Sequence, residues 1–212
     1  MTNHHHIALI GGTGKSGKYL TKKLLKEGFS IKMLLRNPDR LELHHPAIDK
    51  IKGDARNPED IERLLQGCTA VLSTLGQPKG EPPIFSTATN NVLHAMNKLQ
   101  ITRYIVTTGL SVDVPNDYKS EKVQQASDWM RVNYAPTTND KQLEYEILAQ
   151  CSVDWTLVRL PLIEQTEITK GIKVDLGNCP GDQVSAADLA NFIVEQLQSE
   201  AYIRKAPFIA SI

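Results

Sequence analysis

Short aliphatic runs alternate along the first half of the chain with longer stretches whose apolar residues recur every three or four positions. Ile7–Ile10, Ile31–Leu35, Ile48–Ile51, Cys68–Leu75 and Tyr104–Thr107 read as strands. Between them the pattern predicts a helix from Gly17 to about Glu27, stopped by Gly28, and another from Pro58 through Leu65, closed by Gly67. A third helix carries Ala88, Val92, Ala95, Met96 and Leu99, and Asn37-Pro38 reads as an N-cap followed by a first helical residue. Strands separated by helices in this rhythm form parallel βαβ units, so the expected fold is α/β, a doubly wound Rossmann-type sheet.

The second half is more polar. Helices near Ser120–Arg131 and Asn139–Gln150 lead to a sixth strand at Trp155–Arg159, then to a Pro/Gly-punctuated stretch from Pro161 to Gly181. Ser185 is placed to cap a last helix running to about Leu197, with Asp188 in the capping-box position, and Pro207–Ile212 is a candidate final strand. The expectation is one domain over residues 1–212, with about 160–184 forming a small substrate-side lobe.

Composition narrows the class. Lys+Arg and Asp+Glu both number 24, a balance that argues against a nucleic-acid partner. Three cysteines without CxxC spacing favour reduced thiols in a cytoplasmic protein over a disulfide framework or a zinc site. No signal-peptide pattern is read at the N-terminus, and no run approaches the roughly 18 apolar residues of a membrane span. His4, His5 and His6 read as solvated or strand-edge residues, so no metal is expected.

Gly11-Gly12-Thr13-Gly14-Lys15-Ser16-Gly17 follows the first strand and opens the first helix. Glycines there permit a tight turn, close backbone approach to a pyrophosphate and close helix–strand packing, while the helix N-terminus offers N–H groups to the anion. Gly14-Lys15-Ser16 imitates the end of a P-loop, but that motif needs a glycine where Leu9 stands. The second strand ends Leu34-Leu35-Arg36 with no carboxylate for a ribose hydroxyl, and a guanidinium suits a 2′-phosphate; NADP(H) is therefore expected over NAD(H). Asp54 is placed either for an adenine amino group or for a turn.

These segments, with Gly53-Asp54-Ala55-Arg56, Lys141-Gln-Leu-Glu144, Trp155-Thr-Leu-Val-Arg159-Leu-Pro161 and Val184-Ser185-Ala-Ala-Asp188, resemble the atypical short-chain dehydrogenases of the NmrA-like and biliverdin/flavin reductase-like branch. The resemblance implies a cofactor across the carboxyl ends of the strands. Ala55 joins Asp54 among the cofactor-binding candidates, and the resemblance would put Thr74, Leu75 and Gly76 under the nicotinamide ribose, Thr107 and Thr108 beside the nicotinamide, and Pro161, Leu162 and Ile163 beside its carboxamide.

Ordinary members of that superfamily use Tyr-x-x-x-Lys, whose spacing puts both side chains on one helix face. Tyr19/Lys23 and Tyr118/Lys122 match literally, the first in the phosphate-binding helix. Lys141 is the better positional match, but Thr137 stands where its tyrosine belongs; Tyr145, one turn on, is a substitute donor candidate. The leading expectation is an NADPH-dependent oxidoreductase passing hydride to a flavin-, quinone- or tetrapyrrole-like acceptor, for which solvent can supply the proton. The alternative is an NADP(H)-binding redox-sensing regulator without turnover, and a nucleotide-sugar epimerase or dehydratase ranks third. The expected partner is a small-molecule acceptor, and the expected assembly a monomer or small homo-oligomer.

Overall fold

The computed structural model describes residues 6–78 and 80–212; His4 and His5 lie outside them. The chain runs β1 (His6–Ile10), α1 (Gly17–Lys26), β2 (Ser30–Leu35), a 3₁₀ turn (Pro38–Arg40), β3 (Ile48–Lys52), α2 (Pro58–Leu65), β4 (Cys68–Ser73), α3 (Phe85–Leu99) and β5 (Arg103–Gly109). It continues through α4 (Glu121–Asn133), α5 (Ala135–Gln150), β6 (Asp154–Leu160), β7 (Leu162–Glu164), β8 (Ile172–Asp175), β9 (Gln183–Ser185), α6 (Ala186–Glu195) and β10 (Phe208–Ser211).

The main sheet has the order β3-β2-β1-β4-β5-β6-β10-β8, all parallel except β8, which runs antiparallel to β10. Alternation explains its two buried faces. Ile7 and Leu9 join one core with Leu20 and Leu24 of α1 and Leu189, Phe192 and Ile193 of α6. Ala8 and Ile10 join the other, with Ile61, Leu64 and Leu65 of α2, Val92 and Met96 of α3, and Leu148 of α5. The chain winds outward from β1 to β3 on one side and from β4 to β6 on the other. The reversal leaves a crevice at the carboxyl ends of β1 and β4, where open α/β sheets take ligands.

Several boundaries move. The fourth strand ends at Ser73 rather than Leu75, because Thr74 turns onto Gly11 and its Oγ1 donates to the Gly11 carbonyl at 3.2 Å. The fifth helix begins at Ala135 rather than Asn139, with Pro136 in its first turn, where a missing N–H costs nothing. The last helix ends at Glu195, before Leu197. Its capping box is one-sided: Ser185 Oγ accepts from Asp188 N at 3.0 Å, but the Asp188 carboxylate accepts instead from Lys170 N and Ser211 Oγ. The stretch from Pro161 to Gly181 contains β7 and β8, with β7 pairing in parallel with β9 as a separate ribbon.

Candidate functional site

A cavity of about 970 Å³ opens over the crevice, of a size that accepts a dinucleotide. The β1–α1 turn forms its floor. Gly11 has φ +80°, and a Cβ there would lie 2.6 Å from the Thr74 carbonyl oxygen; a Cβ on Gly17 would lie 2.0 Å from the Gly11 oxygen. A side chain at either place would collide with backbone, so the glycines keep the turn flat against both β4 and the helix start. Thr21 Oγ1 donates to the Gly12 and Gly17 carbonyls at 3.2 and 2.9 Å and fixes the turn from below.

The start of α1 has no side-chain cap and no acidic residue in its first turn. By contrast Asn57 caps α2, Ser120 caps α4 and Ser185 caps α6. Even α3, whose own N-cap is Ile84, receives the Asp140 carboxylate, which accepts from Phe85 N at 2.8 Å. Ile84 also lines the cavity, and α5 likewise has no side-chain cap but its first turn lies outside the lining; the start of α1 is thus both in the cavity wall and open to an anion, which its N–H groups and dipole favour. Thirteen to sixteen in the chain line the cavity there: Thr13, Gly14, Lys15 and Ser16.

Of the other expected cofactor residues, Gly11, Arg36, Asp54, Ala55, Thr74, Leu75, Gly76, Thr107, Thr108, Lys141 and Ile163 also line the cavity. Gly12 and Gly17 do not; a Cβ on Gly12 would meet the Leu9 and Met33 side chains at 2.8 Å, so both glycines act beneath the surface. Pro161 and Leu162 are absent from the lining as well, and Leu162 is 71% exposed. Asp54 serves a turn, its Oδ1 accepting from Arg56 N at 2.9 Å, while still facing the cavity. Arg36 pairs with Glu81, NH1 to Oε1, at 2.7 Å. Arg56 and Glu81 were not among the expected site residues, although Arg56 lies inside the Gly53–Arg56 segment; Glu81 carries no sequence signal of its own.

At the opposite end Lys141 lies with its Nζ 4.8 Å from the Phe85 ring centroid, and burial pulls its pKa below the ordinary lysine value. One turn along, Glu144 is 2% exposed; its Oε1 accepts from Thr89 Oγ1 at 2.9 Å, and Thr89 lies 3.3 Å from Tyr104 Oη. Burial raises the Glu144 carboxyl to about 7, against the lowering effects of Thr89 and Lys141. Thr108 Oγ1 is buried without a protein partner and belongs to a residue of the cavity wall, a position suited to a ligand's polar atom.

The remaining donor candidates lie elsewhere. Tyr145 packs edge-on against Trp155 at 6.2 Å and is outside the cavity lining, so packing claims the ring that the spacing offered as a donor. Tyr118 donates to Asp175 at 2.7 Å and Lys122 pairs with Asp182 at 2.5 Å, both outside the lining; that match braces the start of α4 against β8 and the segment after it. Tyr19 is buried in the α1 core and Lys23 pairs with Glu27. Thr137 leaves the expected tyrosine position without a phenol.

A family model described as NAD(P)H-binding matches residues 11–200. The uncharacterized protein YwnB of Bacillus subtilis is 23% identical over 200 residues, covering 91% of this chain and 92% of its own. Among solved structures, ChuY of Escherichia coli, described as an anaerobilin reductase, superposes with a TM-score of 0.81 at 19% identity, covering 97% of each chain. A short-chain dehydrogenase/reductase of Veillonella parvula in complex with NADP superposes with a TM-score of 0.76 at 16% identity, covering 98% of this chain and 94% of its own. With a glycine cradle, an uncapped helix start and a family match over most of its length, the chain belongs to the NAD(P)H-binding family and shares the fold of those solved structures.

Proposed function

We propose that the protein is an NADPH-dependent reductase acting on a flat, delocalised acceptor of the flavin, quinone or tetrapyrrole class. The observation that carries the reading is a dinucleotide-sized cavity with Lys141 at the expected nicotinamide end and no tyrosine at position 137. When bound, the reduced nicotinamide supplies the hydride. The chain's residues bind and orient. The β1–α1 turn holds the pyrophosphate, Arg36 takes the 2′-phosphate, and Asp54 and Ala55 border the adenine. Thr74, Leu75 and Gly76 support the nicotinamide ribose, Lys141 bonds its hydroxyls, and Thr107, Thr108 and Ile163 face the ring. An acceptor whose charge delocalises after hydride transfer takes its proton from solvent, which suits a site without a phenol.

Turnover tests this directly. NADPH oxidation is expected with FMN, a soluble quinone or a linear tetrapyrrole, and Lys141→Met is expected to raise KM for NADPH more than it lowers kcat. Saturable NADPH binding with no turnover on any of the three acceptor classes would replace the reductase reading with that of a redox-sensing regulator.

A further inference from the structure

Where Arg36 lines the cavity, one carboxylate bridges it to a second guanidinium; Glu81 and Arg56 lie beside the lining residues Pro78 and Ala55, outside the lining itself. Glu81 Oε1 lies 2.7 Å from Arg36 NH1 and Oε2 lies 3.0 Å from Arg56 NH1. Three separate segments supply these groups: Arg36 follows β2, Arg56 follows β3, and Glu81 belongs to the connection from β4 to α3. The arrangement has backbone support. Gln77 Nε2 donates to the Glu81 carbonyl at 2.8 Å, Arg56 NH2 donates to the Pro82 carbonyl at 3.2 Å, and Arg56 N is held by Asp54. Arg36, with Arg56 behind it, lowers the Glu81 pKa and keeps the carboxylate ionised.

Charge decides what this cluster fits. A carboxylate brings one negative charge; a phosphate monoester brings nearly two and three acceptor oxygens. Glu81 alone leaves the two guanidiniums with one unmatched positive charge; Asp54 balances it formally, but from 3.5 Å and against Arg56, so Arg36 is left with one carboxylate oxygen where a phosphate monoester offers three acceptors. The three side chains remain 58%, 30% and 37% exposed, so the bridge is a screened surface pair that opens at small cost.

We infer that Glu81 is a built-in stand-in for the ribose 2′-phosphate: it holds Arg36 and Arg56 together in the free protein and yields them to the phosphate of NADP(H), making Arg56 a second residue that discriminates the cofactor. The inference rests on the NADP(H) reading above and adds to it a second cation and a competing anion. Glu81 acts on the two cofactors in different senses. Against NADPH it competes for the same guanidiniums, whereas the ribose hydroxyl of NADH has no charge to compete with and can donate to the carboxylate in place.

Calorimetric dissociation constants for NADPH and NADH on the wild type, Glu81→Gln and Arg56→Gln test it, with melting curves confirming that these surface variants fold. Glu81→Gln is expected to tighten NADPH about three- to tenfold while leaving NADH unchanged or weaker. Arg56→Gln is expected to weaken NADPH about tenfold and NADH by less than about twofold. A wild type that prefers NADH overturns the NADP(H) reading and the inference with it. A wild type that prefers NADPH, with Glu81→Gln failing to tighten it or Arg56→Gln weakening both cofactors equally, overturns the inference alone.

Discussion

At the phosphate end of the cavity the walls are backbone and reversible surface charge; beyond the nicotinamide end they are tied by charges buried in protein. Arg159 is wholly buried, with NH1 2.7 Å from Asp117 Oδ2, NE bonded to the Ala206 carbonyl, NH2 to the Leu176 carbonyl, and its guanidinium 3.5 Å from the Phe208 ring centroid. It thereby joins β6 to the loops after β5 and β8. Lys119, its side chain 3% exposed, adds a second tie through the Leu110 carbonyl and Asp113. The Arg36–Glu81–Arg56 bridge has none of that burial. Exposed pairs exchange partners cheaply and buried ones do not, so the first region can trade one anion for another while the second holds the loops after β5 and β8 in fixed positions.

The contrast breaks most severely at the turn. Gly17→Ala places a methyl group 2.0 Å from a backbone oxygen that cannot swing away, so a loss of about 3 kcal/mol or more is expected, with NADPH binding abolished. Urea unfolding and calorimetry would measure both. Arg159→Met comes next: it leaves Asp117 as an unpaired, nearly buried charge and should cost about 3–5 kcal/mol in the same unfolding assay. If it cost under about 1 kcal/mol, the far end would be no more rigid than the adenine end.

Glu144 sharpens the picture through pH. Its carboxyl is raised from 4.5 to about 7 by burial, so its stabilising contribution is fully present below the unfolded value and is lost as pH rises toward 7. The wild type should lose up to about 3 kcal/mol across that window relative to Glu144→Gln, which keeps an acceptor for Thr89 and has no charge to bury. Parallel pH profiles for the two proteins would contradict the assignment. Tyr118→Phe is the smallest change: it removes an exposed bond to Asp175 and should cost less than about 1 kcal/mol, with NADPH affinity unaltered.

The difference between the two ends also governs what could be read from the chain. Gly11, Gly14 and Gly17 are legible because the turn is local, its shape written in spacing and in the absence of side chains. Arg36 is legible because it sits at a strand terminus. Glu81 is not: it reaches Arg36 across 45 positions, and only folding shows that a carboxylate occupies the guanidiniums. Tyr118 and Lys122 have the right spacing, yet Asp175 and Asp182, more than fifty residues away, claim both side chains. The strands of three and four residues within 162–185 escape detection because so short a run has no period to read. Glu144 stood beside Lys141 in a recognised segment, but its burial depends on α3 and β5 closing over it.

Isothermal titration of the folded wild-type protein with NADPH and then NADH is the most direct trial of the claim that the open start of α1 and the Arg36 guanidinium hold a phosphorylated dinucleotide. The account predicts one saturable NADPH site per chain, at least about tenfold tighter than for NADH and weakening as salt is added. Heats indistinguishable from dilution for both nucleotides at millimolar concentration would contradict it.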